Sequence, residues 1–272
     1  MKTEISRPLT GVAAQLCTLG EKKLSRSSWG ILLSGFLAGA FIAFACHIAT
    51  VAGTGWVLND EAVFYGVKKL VMGAVFGVGL MLVIIGGTDL FTGNCLLPAA
   101  LAEQRIGLGA MLKNWALVWV ANLLGSLFIA VLIAGLSGLL DGKVGHTAVY
   151  VAAAKASLPL GQVFVRGILA NWLVCMAIVM ALSAQEAGGK VLAIFFPVLT
   201  FVASGFEHSV ANMYFMPAGL IAQAHFGEVP TVLTVGNALR NIAGATAGNI
   251  VGGGLFVALF FVWMERSVKK KV

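Results

Sequence analysis

With 272 residues, of which 59% are hydrophobic and only 11% charged, the chain is far more apolar than a soluble domain. Whole runs of about 20 residues carry no charge, which indicates a helical integral membrane protein and excludes a β-barrel, whose strands are shorter and alternate. The net charge of +7 gives no sign of a nucleic-acid partner, because lysines and arginines beside membrane spans set the orientation of the chain.

The first 28 residues are basic and contain only short apolar patches. A signal peptide would need a continuous apolar core and a small-residue cleavage site, and this segment has neither. We therefore predict a retained cytoplasmic segment over residues 1–28. Within it, residues 8–20 are read either as an amphipathic segment at the membrane surface or as part of a solvated basic tail.

Six apolar runs follow, and they predict six spans in one membrane domain over residues 29–266. The runs are 31–51, 70–88, 114–140, 167–185, 191–206 and 241–264. An even number of spans puts both termini on one side, and the excess of lysine and arginine on that side places them in the cytoplasm. Residues 267–272 are then a basic cytoplasmic tail.

Polar residues interrupt the second span at residues 86–94, which read Gly-Gly-Thr-Asp-Leu-Phe-Thr-Gly-Asn. Asp89 is the only charged residue between Lys69 and Glu103, and the apolar stretch after it is too short to span the membrane alone. This pattern predicts a helix, a break near the middle of the membrane, and a half-helix that ends at Glu103.

The segment between the third and fourth spans is predicted as a loop, and it carries Lys155 among small residues. Lys155 is read either as a lysine that reaches to the membrane interface or as a cation at the mouth of an anion pathway. Asn171 falls in the first turn of the fourth span, where alone it indicates only a hydrogen bond to another helix.

The fifth apolar run contains Glu207 and His208 side by side. Ionisable groups at bilayer depth are costly and therefore mark functional sites. A glycine just before them and Pro217 just after them favour a second broken helix.

The two interruptions indicate an internal repeat. Each lies in the second of three spans, and each continues from an asparagine to a Pro-Ala pair, Asn94 to Pro98 in the first and Asn212 to Pro217 in the second. Because three is an odd number of spans, the halves must have opposite orientations, which predicts a 3+3 inverted repeat with broken second and fifth helices. Half-helix N-termini aimed at the membrane centre favour an anion.

Several of these stretches closely resemble the formate/nitrite transporter family, and the resemblance covers essentially the whole chain. They are residues 87–94 (Gly-Thr-Asp-Leu-Phe-Thr-Gly-Asn), 154–156 (Ala-Lys-Ala), Asn171 and 205–213 (Gly-Phe-Glu-His-Ser-Val-Ala-Asn-Met). The resemblance implies an aquaporin-like protomer with its own pore, assembled as a homopentamer in the inner membrane.

The resemblance also implies roles for particular residues. His208 is expected to be the central pore histidine, and Thr92 to face it from the first break. Lys155 is expected to attract anions into the periplasmic vestibule, with Glu207, Asn171 and Asn212 supporting the histidine loop and the lysine. The apolar constrictions on either side of the histidine are expected at Leu80, Leu90, Phe91, Phe201 and Phe76.

We therefore expect a weak-acid anion to enter past Lys155, to be protonated at or near His208, and to cross as the neutral acid. The proton comes either from His208 or from water polarised by Lys155, and the protein is either a passive channel or a proton-coupled transporter. Formate is the first candidate, and nitrite, hydrosulfide and lactate remain open. The expected partners are the anion, the proton and membrane lipid, with no cofactor, metal or nucleic acid.

Two other classes remain open. An intramembrane enzyme would use Glu207 and His208 as an acid and base, although no nucleophile or cofactor motif accompanies them. A channel for neutral solutes would pass water or glycerol and would not depend on Lys155.

Overall fold

The computed structural model describes residues 11–58, 61–62, 64–226 and 230–269. The regular secondary structure of these residues is helical apart from one short ladder, in which β1 (Val57–Leu58) pairs antiparallel with β2 (Glu61–Ala62). The predicted all-helical membrane fold is confirmed at this level.

The α-helices of the described residues are α1 (Val12–Leu24), α2 (Ser28–Ala52), α3 (Tyr65–Ile85), α4 (Phe91–Asn94), α5 (Pro98–Ala102), α6 (Leu108–Ala130), α7 (Lys143–Ala156), α8 (Leu160–Ser183), α9 (Ala187–Ala203), α10 (Ser209–Ala222), α11 (Val235–Gly253) and α12 (Phe260–Lys269). α6 continues as a π-helix over Val131–Leu136, and a second π-helix, Gly254–Leu259, joins α11 to α12.

Five helical stretches of the described chain are long and apolar enough to cross a membrane, which confirms a multi-pass membrane protein. They are Ser28–Ala52, Tyr65–Ile85, Leu108–Leu136, Leu160–Ser183 and Val235–Val268. The fifth of the six predicted runs forms a helix of 17 residues, α9, which is shorter than a full span. The exact number of six spans therefore stays a prediction.

Two helix pairs, α2 with α6 and α8 with α11, approach so closely that their backbones touch. A methyl group at Gly39 would collide with the backbone of Asn122, and one at Gly248 would collide with the backbone of Phe164. Glycine is therefore required at both crossings, and the close contact brings polar side chains of α6 and α11 to the backbone of the neighbouring helix.

Other parts of the protein cover the apolar face of the amino-terminal helix α1. Val12, Leu16 and Cys17 are each no more than 2% exposed and pack against α5 and the end of the last helix. The segment expected at residues 8–20 is thus a helix from Val12 onward that needs no lipid to bury its apolar face, while residues 8–10 lie outside the described residues.

Two expectations on local structure are wrong. The predicted loop before the fourth span contains a helix of 14 residues, α7, and Lys155 lies in its last turn. α8 begins at Leu160, so Asn171 lies near the middle of this helix and not in its first turn. Residues 267–269 continue α12, and residues 270–272 lie outside the described part of the chain, so the basic cytoplasmic tail over 267–272 stays a prediction.

Candidate functional site

The two predicted interruptions are two helix ends of the same geometry. α3 ends at Ile85 and α9 at Ala203, and each chain turns through a glycine in the left-handed region, Gly87 at φ 65° and Gly205 at φ 73°. Two residues after each glycine comes a carboxylate, Asp89 or Glu207, and a new helix begins within two residues of it. The backbone N–H groups of Thr88 and Phe206 close the turns by donating to the carbonyls five residues earlier, as in a Schellman motif.

The Glu207 carboxylate is buried and uses both of its oxygens. Lys155 Nζ lies 2.8 Å from Oε1, and the side-chain amide of Asn212 donates to Oε2 over 2.6 Å. The amide of Asn241 donates to the same Oε2 over 3.3 Å and to the carbonyl oxygen of Lys155 over 3.0 Å. One cation and two amides occupy three of the roughly four acceptor sites of this carboxylate, and these bonds fix Lys155 and the start of α10.

His208 caps α10 and contacts the first break. Its Nδ1 accepts the backbone N–H of Ala211 at 3.0 Å, so the neutral ring carries its proton on Nε2. Nε2 lies 3.0 Å from Thr92 Oγ1, which therefore accepts this hydrogen bond. Both side chains are buried, at 3% and 0% exposure. The two segments that the sequence singled out thus meet through a histidine and a threonine.

Two asparagines hold the breaks in place, and neither was predicted. Asn249 accepts the N–H of Ser209 at 2.9 Å and donates to the carbonyls of Gly167 and Glu207 at 2.8 and 3.0 Å. Asn122 makes the same three bonds at the first break, to the Phe91 N–H at 2.8 Å and to the Gly35 and Asp89 carbonyls at 2.8 and 3.0 Å. Each asparagine pairs two backbone groups of the segment between two helix ends and links that segment to a carbonyl of a neighbouring helix, α8 or α2.

Asn171, expected to help support the histidine loop and the lysine, bonds to two backbone carbonyls. Its side-chain amide donates to the carbonyls of Thr92 at 3.1 Å and Asn249 at 2.6 Å, and it does not contact Lys155 or the Glu207 carboxylate. Asn171 therefore fixes the threonine that faces His208, and the support for Lys155 comes from Asn212 and Asn241 through Glu207.

The Asp89 carboxylate binds the amino-terminal region. Lys23 Nζ lies 2.9 Å from Oδ1, and Oδ2 accepts from Arg26 and, at 2.9 Å, from the Ser34 hydroxyl. Burial lowers the pKa of Lys23 below its ordinary value, and the neighbouring Asp89 carboxylate opposes that shift. Asp89 thus ties the end of α1 and the start of α2 to the first break.

Two cavities lead towards the Thr92–His208 pair. The wide cavity, of about 760 Å³, is lined at its inner end by Phe201 and His208. The narrow cavity, of about 320 Å³, is lined at the first break by Leu90, two residues before Thr92. The hydrogen bond between His208 and Thr92 therefore joins the lining of one cavity to the segment that lines the other.

Apolar side chains line both cavities. The ring of Phe201 stacks on His208 at 5.8 Å between centroids, and Phe76 meets Phe201 edge-on at 5.8 Å. Leu80 and Leu90 are buried in the lining of the narrow cavity. Phe91 lies in the lining of neither cavity, and its ring packs edge-on against Trp115 on α6, so its expected place in a constriction remains a prediction.

The sequence did contain a signal for the asparagines that were missed. Asn122, Asn241 and Asn249 lie in apolar runs where polar side chains must find partners, as the more obvious Asn171 does. Among the described residues, no three side chains of histidine, cysteine, aspartate or glutamate are grouped closely enough to hold a metal ion.

A family model, curated relatives and a solved structure all match this chain over most of its length, and they agree with one another. The family model described as "Formate/nitrite transporter" matches residues 10–263. The probable formate transporter of Methanothermobacter thermautotrophicus is 38% identical over 265 residues, which cover 91% of this chain and 93% of that one. The nitrite transporter NirC of Escherichia coli is 36% identical over 267 residues, with 94% and 92% covered. A solved structure described as a pentameric formate channel with formate bound has a TM-score of 0.75 and 31% identity, covering 87% and 97%.

Proposed function

The chain belongs to the formate/nitrite transporter family, and on this premise we propose that it is a transmembrane channel or transporter for small monovalent weak-acid anions, with formate as its first candidate substrate. The observation that carries this proposal is the buried Thr92–His208 hydrogen bond between two cavities whose linings are rich in cations. Named relatives are transporters and channels, which favours transport over intramembrane catalysis.

We place the protein in the inner cell membrane as a homopentamer of aquaporin-like protomers, each with its own pore. The similarity to a pentameric formate channel supports this assembly. The narrow cavity is lined by Leu19, Lys22 and Lys23 of α1, so it is the cytoplasmic vestibule if both termini are cytoplasmic. The wide cavity is then the periplasmic vestibule.

The two halves are proposed to form a 3+3 inverted repeat. α2, the interrupted α3 and α6 make up the first half, and α8, the interrupted α9 and α11 make up the second. The matching bonds of Asn122 and Asn249 support this relation, because each ties the break of its own half to the first helix of that half. Irregular backbone at membrane depth is tolerated where protein covers it or a cavity adjoins it.

Crossing as the neutral acid follows from the cost of moving an ion between apolar rings. The idealised Born cost for a bare monovalent ion is of order 20 kcal/mol, and several kcal/mol remain after relaxation. Phe76, Phe201, Leu80 and Leu90 offer no polar atoms to offset it. A neutral weak acid escapes most of this cost, so the anion is proposed to take up a proton before it passes His208.

The hydrogen bonds of His208 favour water over the imidazole as the source of that proton. A proton added to Nδ1 would break the cap on the Ala211 N–H, which is worth about 1 kcal/mol, and would put a positive charge at the positive end of α10. We therefore propose that His208 stays neutral and donates from Nε2 to Thr92. The Thr92 hydroxyl hydrogen is then free to bind the passing acid, while water near Lys155 supplies the proton.

Substitutions at the pair test this function in proteoliposomes. Formate uptake is measured across a pH series for the unchanged protein and for His208→Asn, which retains an oxygen that can cap Ala211 but loses the ring. We expect slower uptake and an altered pH dependence. Thr92→Val, which removes only the hydroxyl, should also slow uptake, whereas Thr92→Ser should retain it. Unchanged uptake and pH dependence in His208→Asn would remove the histidine from the mechanism.

Nitrite is kept as the second candidate because a nitrite transporter is as similar to this chain as some of the formate proteins are. Parallel uptake of formate, nitrite, hydrosulfide and lactate over the same pH series distinguishes them. An enzyme would change the solute chemically, and a neutral-solute channel would pass glycerol without regard to Lys155. Recovery of unchanged formate inside the vesicles would exclude the first, and glycerol permeability without anion uptake would support the second.

A further inference from the structure

The positive charge of Lys155 is largely neutralised by the Glu207 carboxylate. Its Nζ lies 2.8 Å from Glu207 Oε1, and the two side chains are 18% and 2% exposed. An anion that approaches through the wide cavity therefore meets an ion pair, whose field falls off faster with distance than that of a single charge. A lysine without such a partner would attract the anion over a longer range.

Within the described residues, Lys69 is such a lysine. It lies in the second turn of α3 and lines the wide cavity, and its Nζ would be 3.7 Å from a Cβ placed on Gly205, at the second break. No carboxylate within the described parts of the chain forms an ion pair with it, and its Nζ lies 5.9 Å from the Tyr65 ring centroid. The lysine thus holds a net charge beside the segment that leads to His208.

The narrow cavity has the same arrangement with the halves exchanged. Lys23 and Arg26 are bound to Asp89 at the first break, as Lys155 is bound to Glu207 at the second. Lys190, in the first turn of α9, lines this cavity without an ion-pair partner in the described residues. Each cavity therefore contains a carboxylate-bound cation beside its own break and, among its further cations, a lysine from the start of the interrupted helix of the other half. The further cations of the wide cavity include Lys68 and Arg166, and those of the narrow cavity include Lys22.

We propose that Lys69 and Lys190 are the residues that capture the small monovalent weak-acid anion at the two mouths of the pore. This inference rests on the proposed function, since it assigns a site on the same pathway. Lys155 and its carboxylate then act one step further in, where the anion meets water and the Thr92–His208 pair. Removal of one unit charge from such a half-buried site should weaken capture by roughly three- to tenfold at low ionic strength.

Concentration dependence in proteoliposomes tests the assignment. Formate uptake is measured at low and high ionic strength for the unchanged protein, Lys69→Gln, Lys69→Arg and Lys143→Gln. Lys143 is an exposed lysine at the start of α7, outside the lining of the cavity, and serves as the matched loss of charge. We expect Lys69→Gln to raise the half-saturating concentration at low salt, to retain the maximal rate, and to show a weaker salt dependence than the unchanged protein. Lys69→Arg and Lys143→Gln should resemble the unchanged protein.

The alternative outcomes are distinct. An unchanged half-saturating concentration in Lys69→Gln, or a lower maximal rate with the same half-saturating concentration, would overturn the capture role. Failure of the unchanged protein to carry formate, nitrite or hydrosulfide would instead refute the proposed function. If Lys69→Gln does not assemble, Lys190→Gln, assayed by efflux from loaded vesicles, tests the same arrangement at the other mouth.

Discussion

Replacing Asn249 with alanine would remove the link between the second break and α8. The side chain is fully buried and makes its three bonds to backbone groups only. Two of these groups, the Glu207 carbonyl and the Ser209 N–H, flank His208 in the sequence. Alanine cannot replace any of the three bonds, and no other side chain is bonded to the Ser209 N–H.

The magnitude follows from the groups left unpaired. A buried backbone donor or acceptor without a partner costs about 1 to 3 kcal/mol, so the Ser209 N–H and the Glu207 carbonyl together cost about 2 to 6 kcal/mol unless water enters the space of the amide. The Gly167 carbonyl lies inside α8 and keeps its helical hydrogen bond. Thermal unfolding of a membrane oligomer is commonly irreversible, so variants are compared by their unfolding midpoints in detergent at one heating rate. We expect a lower midpoint for Asn249→Ala together with slower formate uptake.

Asn122→Ala is the matched control, because Asn122 makes the same three backbone bonds at the first break. It should lower the midpoint by a similar amount. It should also slow uptake, since the segment that it holds carries Thr92, the partner of His208. Asn249→Asp keeps an acceptor for Ser209 but places a buried carboxylate against two carbonyl oxygens, so it should lower the midpoint at least as much as Asn249→Ala. If Asn249→Ala unfolds at the same temperature and carries formate at the same rate, these bonds do not hold the site.

Two further predictions concern the amino-terminal region. Asp89→Asn leaves Lys23 and Arg26 without a charged partner, and removing one side of a buried ion pair costs about 3 to 5 kcal/mol at most. We therefore expect α1 to become accessible to limited proteolysis. Equal protection of α1 in the unchanged protein and in Asp89→Asn would contradict this. Burial raises the pKa of the Cys17 thiol, so a maleimide should label this cysteine slowly at neutral pH in the folded protein and rapidly after denaturation. Fast labelling of the folded protein would show that α1 is not packed as described.

The sequence alone was enough to locate the candidate site where a residue is energetically unfavourable in its surroundings. Glu207 and His208 stood out because ionisable groups are rare in apolar runs, and the glycines around Asp89 marked the first break. It was insufficient where partners are far apart along the chain. Asn249 bonds to Gly167 across 82 residues, and one asparagine in an apolar run does not identify its partner.

The helix α7 was missed for a different reason. It is short, polar at its start and rich in alanine towards its end, so apolar periodicity gave no clear signal. Its last turn nevertheless determines the function proposed for Lys155, because a helix presents this lysine to Glu207 at a fixed distance where a loop would not. The packing of α1 could not be predicted from the sequence either, because the residues that cover its buried face lie far away along the chain.

If the halves are related as proposed, the chemistry lies where they differ. The carboxylates Asp89 and Glu207 and the clamping asparagines correspond, so the frame is the same on both sides. The counterpart of His208 is Leu90, one residue after its own carboxylate, and the counterpart of Thr92 is Val210. A fully symmetric pore would place either two histidines or none at its centre. In this protein the second half instead contributes one imidazole and the first half one hydroxyl, and the two are hydrogen-bonded between apolar rings. The pair can offer a hydrogen bond to a neutral acid without leaving a lone buried charge.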